Sequence, residues 1–336
     1  MACAGARAGP SRGSQKMRSI TFHRRLLGAL TLVAGLALGL PGVASAEQQA
    51  LKIGFQKGGG LLAVLKSQGV LEKSLGEQGY RVTWHEFQAG PQLLEALNAG
   101  SVDFGYTGAP PPIFAQAAGI DLVYVGAEPH APRTEAIVTH KDSPIADIAG
   151  LKGKKVAVQK GSSANYLLVA SLAKAGLSFA DIQPVYLPPA DARAAFENRS
   201  VDAWSVWDPY LAAIEKGASV RVLGNYEGLS QTNAFYEASR RFAETNPKLL
   251  QALLGELAKA GAWANDNPGE VARLLAPQLG LPEDVLTLWQ KRARYGVQPL
   301  SAEIVAVQQK VADTFHEQKL IPRSVKVGEI VWKAPQ

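Results

Sequence analysis

The sequence has a single cysteine, Cys3, so every position after it lacks the residue. Such a chain cannot close an internal disulfide. Charged residues are also scarce at 19%, whereas hydrophobic residues make up 47%. This balance excludes a disordered chain. The protein must therefore be held together by a hydrophobic core, and its 336 residues are enough for one large domain or two moderate ones.

Acidic residues are absent from the first 46 positions, which carry six Lys or Arg residues. The remainder of the chain holds 29 basic and 29 acidic residues, so the net charge of +6 belongs to this basic leader. A neutral remainder gives no reason to expect a nucleic-acid partner.

Charge is also absent from Leu26 to Leu40, the apolar run that follows the basic leader, and Ala44-Ser45-Ala46 closes the segment. This order is typical of a cleaved signal peptide, here residues 1–46, with Met17 as an alternative start. We therefore expect a soluble, exported, periplasmic protein. The alternatives are an uncleaved membrane anchor and, because of Arg24-Arg25, a twin-arginine signal, with the general secretory route favoured over the latter.

Motifs of catalysis and metal binding are missing as well. There is no H-E-x-x-H, G-x-S-x-G or Walker A motif, and no G-x-G-x-x-G follows a predicted strand. The four histidines after the leader, His85, His130, His140 and His316, stand in unrelated contexts. We expect no enzyme activity, no metal site and no cofactor.

An internal repeat is the main positive feature of the sequence. Lys52–Gly60 matches Lys155–Ser163, each an apolar run followed by Gln-Lys-Gly, at a spacing of 103 residues. A Ser-Val-Asp triplet ends a helical run at Asp103 and again at Asp202, at a spacing of 99. The alternative is coincidence between common α/β patterns, but duplication is favoured.

Both copies predict strands alternating with helices, which indicates an α/β fold with two similar lobes around a central cleft. The predicted segments are residues 47–136 for the first part of lobe 1, 137–233 for lobe 2 and 234–336 for the second part of lobe 1. Spacings of three and four predict four helices in the last segment, which we expect to pack on lobe 1: Pro247–Asn265, Pro268–Leu279, Pro282–Arg294 and Ser301–Gln318.

Four turns between a strand and a helix are expected to face the cleft. Unpaired N–H groups at a helix start attract an anion, glycine permits close approach of the backbone, and hydroxyl or amide side chains such as Gln56, Thr107, Gln159 and the two serines add donors. Taken alone, each turn is also explained as an ordinary helix cap, with Ser162 and Asp208 as capping residues. The turns are Gly58-Gly59-Gly60, Ala109-Pro110-Pro111-Pro112, Gly161-Ser162-Ser163 and Trp207-Asp208-Pro209.

Trp204 and Trp207 raise a related question, because one of them can be a core residue while the other lines the ligand cavity or packs between lobes. Asp208 is open to two interpretations, a helix cap or a group that binds a cation.

Several segments together resemble the aliphatic sulfonate-binding proteins of bacterial ABC transporters, and the likeness covers most of residues 50–334. The segments are Phe55–Gly58, Phe87–Leu97, Pro111–Gly119, Gln159–Ser163, Pro189–Phe196 and Trp207–Tyr210. The resemblance implies a two-lobed periplasmic binding protein of type II whose chain crosses between lobes twice. It also implies capture of an alkanesulfonate for sulfur acquisition and delivery to a membrane permease with a separate ATPase.

By position, the resemblance implies a sulfonate site of eleven residues: Gln56, Gly58, Gly59, Gly60, Thr107, Gly108, Ala109, Ser162, Ser163, Trp207 and Asp208. Some relatives carry an acid where this chain has Ala109, which puts a preference for amines such as taurine in doubt. One closing cleft per chain suits a monomer.

Two further hypotheses remain open at the level of sequence. The same fold could receive another small nutrient, namely taurine, nitrate or a thiamine-pyrimidine precursor. An exported enzyme would instead use Asp208 or Glu128 with His130 as an acid and base pair in the cleft.

Overall fold

The computed structural model describes residues 49–58 and 60–334. The predicted signal peptide and Gly59 lie outside the described residues. The strands are β1 Gln49–Gln56, β2 Tyr80–Phe87, β3 Phe104–Thr107, β4 Leu122–Glu128, β5 Glu135–His140, β6 Lys155–Val158, β7 Gln183–Tyr186, β8 Ala203–Trp207, β9 Val220–Asn225 and β10 Ala234–Ser239.

The helices include the four that were predicted near the end of the chain. They are α1 Gly60–Gln68, α2 Val70–Gly76, α3 Gly90–Asn98, α4 Pro110–Ala118, α5 Ser163–Lys174, α6 Pro189–Glu197, α7 Tyr210–Gly217, α8 Arg240–Thr245, α9 Pro247–Asp266, α10 Pro268–Leu279, α11 Glu283–Gln290 and α12 Ala302–Glu317. Among the described helices, none combines the length and the apolar character that crossing a bilayer requires.

The strands form two five-stranded sheets with the same plan. The first sheet has the order β2-β1-β3-β10-β4 and the second has the order β7-β6-β8-β5-β9. The first three strands of each sheet are parallel, and the fourth, β10 or β5, is antiparallel to its neighbours. We call the halves around these sheets the first and the second lobe. The expectation of two similar α/β lobes is confirmed.

The chain passes between the sheets twice. Residues 129–134 join β4 of the first sheet to β5 of the second, and residues 226–233 return from β9 to β10. Each crossing therefore leads directly into the antiparallel fourth strand of the next sheet, β5 in the second sheet and β10 in the first. These two segments, the crossing segments below, bring residues to the base of the cleft that neither repeat contains.

The helices after β10 cover the first lobe. On α9, Leu250, Leu253 and Leu257 recur at a spacing of three or four and are buried in the core where α9 packs on α1. Helix α12 packs on α4, where the Gln308 side-chain amide donates to the carbonyl of Ala109 at 2.6 Å. Helix α11 also contacts α7 of the second lobe, so one helical layer touches both lobes.

The Ser-Val-Asp triplets make the same contact in both lobes. The Asp103 carboxylate accepts the backbone N–H of Lys52 at 3.0 Å, and the Asp202 carboxylate accepts the N–H of Lys155 at 2.8 Å. Each aspartate thus ties the beginning of the central strand of its sheet, β3 or β8, to the neighbouring strand β1 or β6. The repeated sequence encodes a repeated hydrogen bond.

We expect Asp103→Ala and Asp202→Ala each to lower the free energy of unfolding by about 2 kcal/mol, because a charge-assisted hydrogen bond is lost and a backbone donor loses its acceptor. Thermal unfolding followed by circular dichroism should show a drop of about 5 °C. The exposed Asp266→Ala is the matched control, expected to change stability by less than about 0.5 kcal/mol. Equal behaviour of all three variants would contradict the assignment.

Candidate functional site

A cavity of about 120 Å³ lies between the lobes at the carboxyl ends of β1, β3 and β8 and the N-terminus of α5. This is the edge of an α/β sheet at which ligands bind. Residues of both lobes and of both crossing segments line it. The volume is below the range of about 300–1,000 Å³ found for drug-sized ligands and is close to that of a cavity that holds one benzene molecule.

The lobes touch across this cavity at two glycines. A Cβ atom built on Gly58 would lie 2.6 Å from Cδ of Pro209 and 2.7 Å from the carbonyl oxygen of Asp208. A Cβ atom on Gly108 would lie 2.8 Å from Cβ of Ser163. Both distances are shorter than side chains tolerate, so glycine is required for this approach of the lobes.

The N-terminus of α5 offers the clearest set of donors. The Ser162 hydroxyl caps the helix: it accepts the N–H of Asn165 at 3.2 Å and donates to the carbonyl of Gln159 at 2.7 Å. The capping interpretation of Ser162 is therefore observed. The backbone N–H groups of Ser163 and Ala164 in the first turn have no acceptor within the helix, and Ser163 lines the cavity opposite Gly108.

The N-terminus of α4 offers fewer backbone N–H donors than other helix starts do. Pro110, Pro111 and Pro112 carry no backbone N–H, so this turn offers only the N–H groups of Gly108 and Ala109. Both of these residues line the cavity. Proline rigidifies the turn and at the same time restricts its donors to the residues nearest the second lobe.

Gln56 and Thr107 use their polar groups inside the first lobe. The Gln56 amide donates to the carbonyl of Tyr106 at 2.9 Å, although the residue lines the cavity. The Thr107 side chain is fully buried, does not line the cavity and donates its hydroxyl to the Glu237 carboxyl at 2.6 Å. Of these two expected ligand donors, only Gln56 is placed to meet a ligand.

Asp208 forms a buried ion pair that links the lobes. The Asp208 carboxylate accepts two hydrogen bonds from Arg292, at 2.6 and 2.8 Å, and one from the backbone N–H of Ala212 at 2.9 Å. Arg292 also pairs with Glu215 at 2.9 Å. Burial raises the pKa of Asp208 to about 6, and the neighbouring guanidinium opposes that rise. The carboxylate is thus occupied by the helix and by Arg292.

Glu128 lies at the end of β4 beside the N-terminus of α1. Its carboxyl group accepts the Tyr106 hydroxyl at 2.5 Å and the Tyr236 hydroxyl at 3.3 Å, and it lies 4.0 Å from the position of a Cβ on Gly60. Burial raises the pKa of Glu128 to about 8. Glu128 therefore faces the first-lobe helix start at which the sequence predicted an anion.

Glu135 begins β5, pairs in register with Trp207 and also lines the cavity. Its Oε2 atom is buried and has no hydrogen-bond partner among the described residues. Burial raises the pKa of Glu135 to about 8; a hydrogen bond from the Ser163 hydroxyl opposes the rise, and the charge of Asp208 adds to it. A second acid thus faces the helix start of the second lobe.

Within the part of the chain that the structure describes, His130 forms no hydrogen bond with Asp208 or Glu128. Its Nδ1 atom lies 2.7 Å from the carbonyl oxygen of Thr232, which ties one crossing segment to the other, and its ring contacts the edge of Tyr226. Asp208 is committed to Arg292, and Glu128 to its two tyrosines. The acid and base pair that the enzyme hypothesis requires is not formed by these residues.

Trp204 and Trp207 lie on opposite faces of β8, because side chains alternate between the two faces of a strand and these residues are three positions apart. Trp204 is buried in the core of the second lobe beside Phe196, whereas Trp207 lines the cavity. Gln56, Gly58, Gly60, Gly108, Ala109, Ser162, Ser163 and Asp208 line it as well.

Several cavity residues come from outside the predicted turns. Tyr106 precedes one of these turns, whereas Glu135, Tyr226 and Asn233 belong to the crossing segments or border them, and Arg294 and Tyr295 follow α11. Apart from Tyr106, these residues lie outside the repeated segments, so the repeat does not point to them. The available signal was the polar stretch between predicted strands at each change of lobe.

Two α/β lobes with a twice-crossed connection, a ligand-sized cavity between them and backbone donors on both sides define a two-lobed solute-binding protein. The model of the NMT1/THI5 like family matches residues 76–271. A protein of Escherichia coli strain K12 named for binding aliphatic sulfonates is 47% identical, over 87% of this chain and 92% of its own length. The chain belongs to this family of aliphatic sulfonate-binding proteins.

Solved structures agree with the sequence comparison. The periplasmic aliphatic sulphonate binding protein SsuA of Escherichia coli matches with a TM-score of 0.79 at 47% identity, over 86% of this chain and 93% of that one. The alkanesulfonate-binding protein SsuA of Xanthomonas axonopodis pv. citri, bound to MOPS, matches with a TM-score of 0.82 at 45% identity, over 86% and 100%. The expectation of a type II binding-protein fold is confirmed.

The two cavity glutamates predict a pH dependence of stability. Because burial raises the pKa of Glu128 and of Glu135 to about 8, the folded protein retains protons that the unfolded chain releases above its ordinary carboxyl pKa. The free energy of unfolding must then fall as pH rises from about 4.5 to 8. We expect the melting temperature to decline over this range, and Glu128→Gln to make the decline smaller.

Differential scanning calorimetry between about pH 5 and pH 8.5 measures both slopes. The exposed Glu329→Gln is the matched control, since it removes one carboxylate far from the cavity and should leave the slope of the wild-type protein unchanged. If Glu128→Gln kept the full slope, Glu128 would not be one of the groups that titrate.

Proposed function

We propose that this protein captures aliphatic sulfonates in the cavity between its lobes and delivers them to the permease of an ABC transporter. The observation that carries the proposal is the contact of Gly108 with Ser163, which brings backbone N–H groups from both lobes to one side of the cavity. An oxyanion at this point accepts hydrogen bonds from both lobes. The ligand thereby holds them together.

Neutral donors suit a sulfonate. A sulfonate stays ionised throughout the biological pH range, so it donates no proton. Its three oxygens are hydrogen-bond acceptors, and the protein therefore needs to supply only donors around them. We assign this role to the backbone N–H groups of Gly108, of Ala109 and of the first turn of α5, which begins at Ser163. Gly58, Gly60 and Gln56 approach from the first lobe, and Trp207 forms a wall for the organic tail.

The relatives support the substrate class and the transport role. The two SsuA structures are named for aliphatic sulphonate and alkanesulfonate binding, and one contains MOPS, a sulfonate on a three-carbon chain. We propose that the present chain works likewise in the periplasm, as a monomer exported by the general secretory route. Energy for uptake would come from a separate ATPase subunit. We propose that the chain itself catalyses no reaction.

Thermal unfolding of residues 47–336 with a panel of ligands tests the proposal. A ligand that binds only the folded protein, present at about 100 times its Kd, adds about 2.7 kcal/mol and raises the melting temperature by several degrees. We expect this rise with alkanesulfonates and none with nitrate or a thiamine-pyrimidine precursor. A rise with nitrate or the pyrimidine alone would keep the fold and reassign the substrate.

Gly108→Ala tests the contact between the lobes. Its Cβ would meet the Cβ of Ser163 at 2.8 Å, so the lobes cannot close as tightly and the donors of the two lobes separate. We expect alkanesulfonate affinity by isothermal titration calorimetry to fall by about tenfold or more, equivalent to about 1.4 kcal/mol, with little change in the melting temperature of the free protein.

Gly255→Ala is the matched control, because a Cβ at that helical position meets nothing within 4 Å. It should bind ligand as the wild-type protein does and gain slightly in stability. Unchanged affinity in Gly108→Ala would refute the assigned role of this contact.

A further inference from the structure

The cavity contains more acid than base. Three carboxyl groups line it, those of Glu128, Glu135 and Asp208, and Arg294 is the one Lys or Arg residue among the described residues that does so. Arg294 is exposed and donates to the carbonyl of Ala293 at 2.7 Å. A ligand carrying only negative charge is therefore an incomplete match for this cavity.

The three carboxyl groups differ in how fully their oxygens are used. Asp208 is bonded to Arg292 and to the backbone of α7, and Glu128 accepts two tyrosine hydroxyls. Glu135 alone of the three has a buried oxygen, Oε2, without a hydrogen-bond partner. A buried acceptor without a partner destabilises the protein, and a donor from a bound ligand would remove this loss of free energy.

Glu135 is also positioned to contact a ligand whose sulfonate group is bound at the first turn of α5. It lines the cavity together with Ser163, the first residue of α5, and it pairs with Trp207 between the strands β5 and β8. A molecule whose sulfonate sits at the first turn of α5 would have its chain beginning within reach of the Glu135 carboxylate. An ammonium group two or three carbons along that chain would supply the missing donor.

We propose that Glu135 is a cation-accepting subsite, so that the cavity selects zwitterionic sulfonates, which carry an ammonium group on a short chain, over plain alkanesulfonates. This inference rests on the proposed function. It restores amine-bearing sulfonates as ligands even though Ala109 is not acidic, since Glu135 supplies an acid from the second lobe.

Two sulfonates with the same three-carbon chain, one with and one without an ammonium group, separate the effect of the ligand's positive charge from that of its chain. We would measure the Kd of 3-aminopropanesulfonate and of propanesulfonate by isothermal titration calorimetry at about pH 8, for the wild-type protein and for Glu135→Gln. Gln keeps the size and the acceptor for Ser163 but removes the charge. We expect the aminosulfonate to lose about tenfold or more in affinity, and propanesulfonate to change less than about threefold or to bind more tightly.

Glu329→Gln is again the control, since it removes the same charge at an exposed position. Equal weakening of both ligands in Glu135→Gln would show that Glu135 merely positions Ser163 and would overturn the subsite alone. Unchanged binding of both would also overturn it. A wild-type protein that binds neither sulfonate would overturn the proposed function and the subsite with it.

The pH dependence of binding gives a second, independent readout. An ammonium ligand binds the ionised form of Glu135, so its affinity should rise between about pH 6.5 and 8.5, whereas propanesulfonate should lose affinity over the same range. The other titratable or charged groups facing Glu135 are Asp208, held by Arg292, and Tyr226 with its neighbour Tyr166. Parallel slopes for the two ligands would contradict the subsite.

Discussion

The relative position of the two lobes is constrained by two contacts that glycines make across the cleft. At Gly58 and Gly108 the first lobe approaches the second so nearly that no side-chain carbon fits between them. Because the cavity is bounded by these contacts, the donors of Gly108 and of the α5 N-terminus converge only when both contacts are made. The proposed ligand site therefore depends on the closed placement of the two lobes, as expected for proteins whose domains close around a ligand by hinge motion.

The buried cation beside this contact is neutralised by the protein's own carboxylates, whereas the exposed Arg294 lines the cavity. Arg292 reaches the cleft from the first lobe, but Asp208 and Glu215 of the second lobe neutralise it. A buried ion pair contributes less to stability than its distance suggests, because both charges lose water, but removing either partner leaves an uncompensated charge. The pair therefore favours one relative placement of the lobes, and it leaves the proposed oxyanion to be bound by backbone donors.

Much of the fold could be predicted because the same local sequence patterns occur in both halves of the repeat, so that each pattern supports the interpretation of the other. The Gln-Lys-Gly turns, the Ser-Val-Asp triplets and the apolar spacing of α9 and α12 each specify a local structure that appears at the expected place. The cavity lining was harder to predict, since Thr107 turned inward to Glu237 and Asp208 paired with a residue 84 positions away. Such pairings depend on how distant segments pack, which no local pattern encodes.

The acids of the cavity show why a duplicated fold need not have a symmetric site. Each lobe supplies a helix start from its repeated part, but Glu128 and Glu135 border the first crossing segment, which exists once in the chain. The two glutamates consequently face helix starts of different lobes, Glu128 that of α1 and Glu135 that of α5. Glu128 is satisfied by two tyrosines of the first lobe, whereas Glu135 keeps an unsatisfied oxygen. Both helix starts thus face a carboxyl group of the protein, but only the one at α5 keeps an oxygen free, which is why we propose that a ligand contributes both an anion and a donor there.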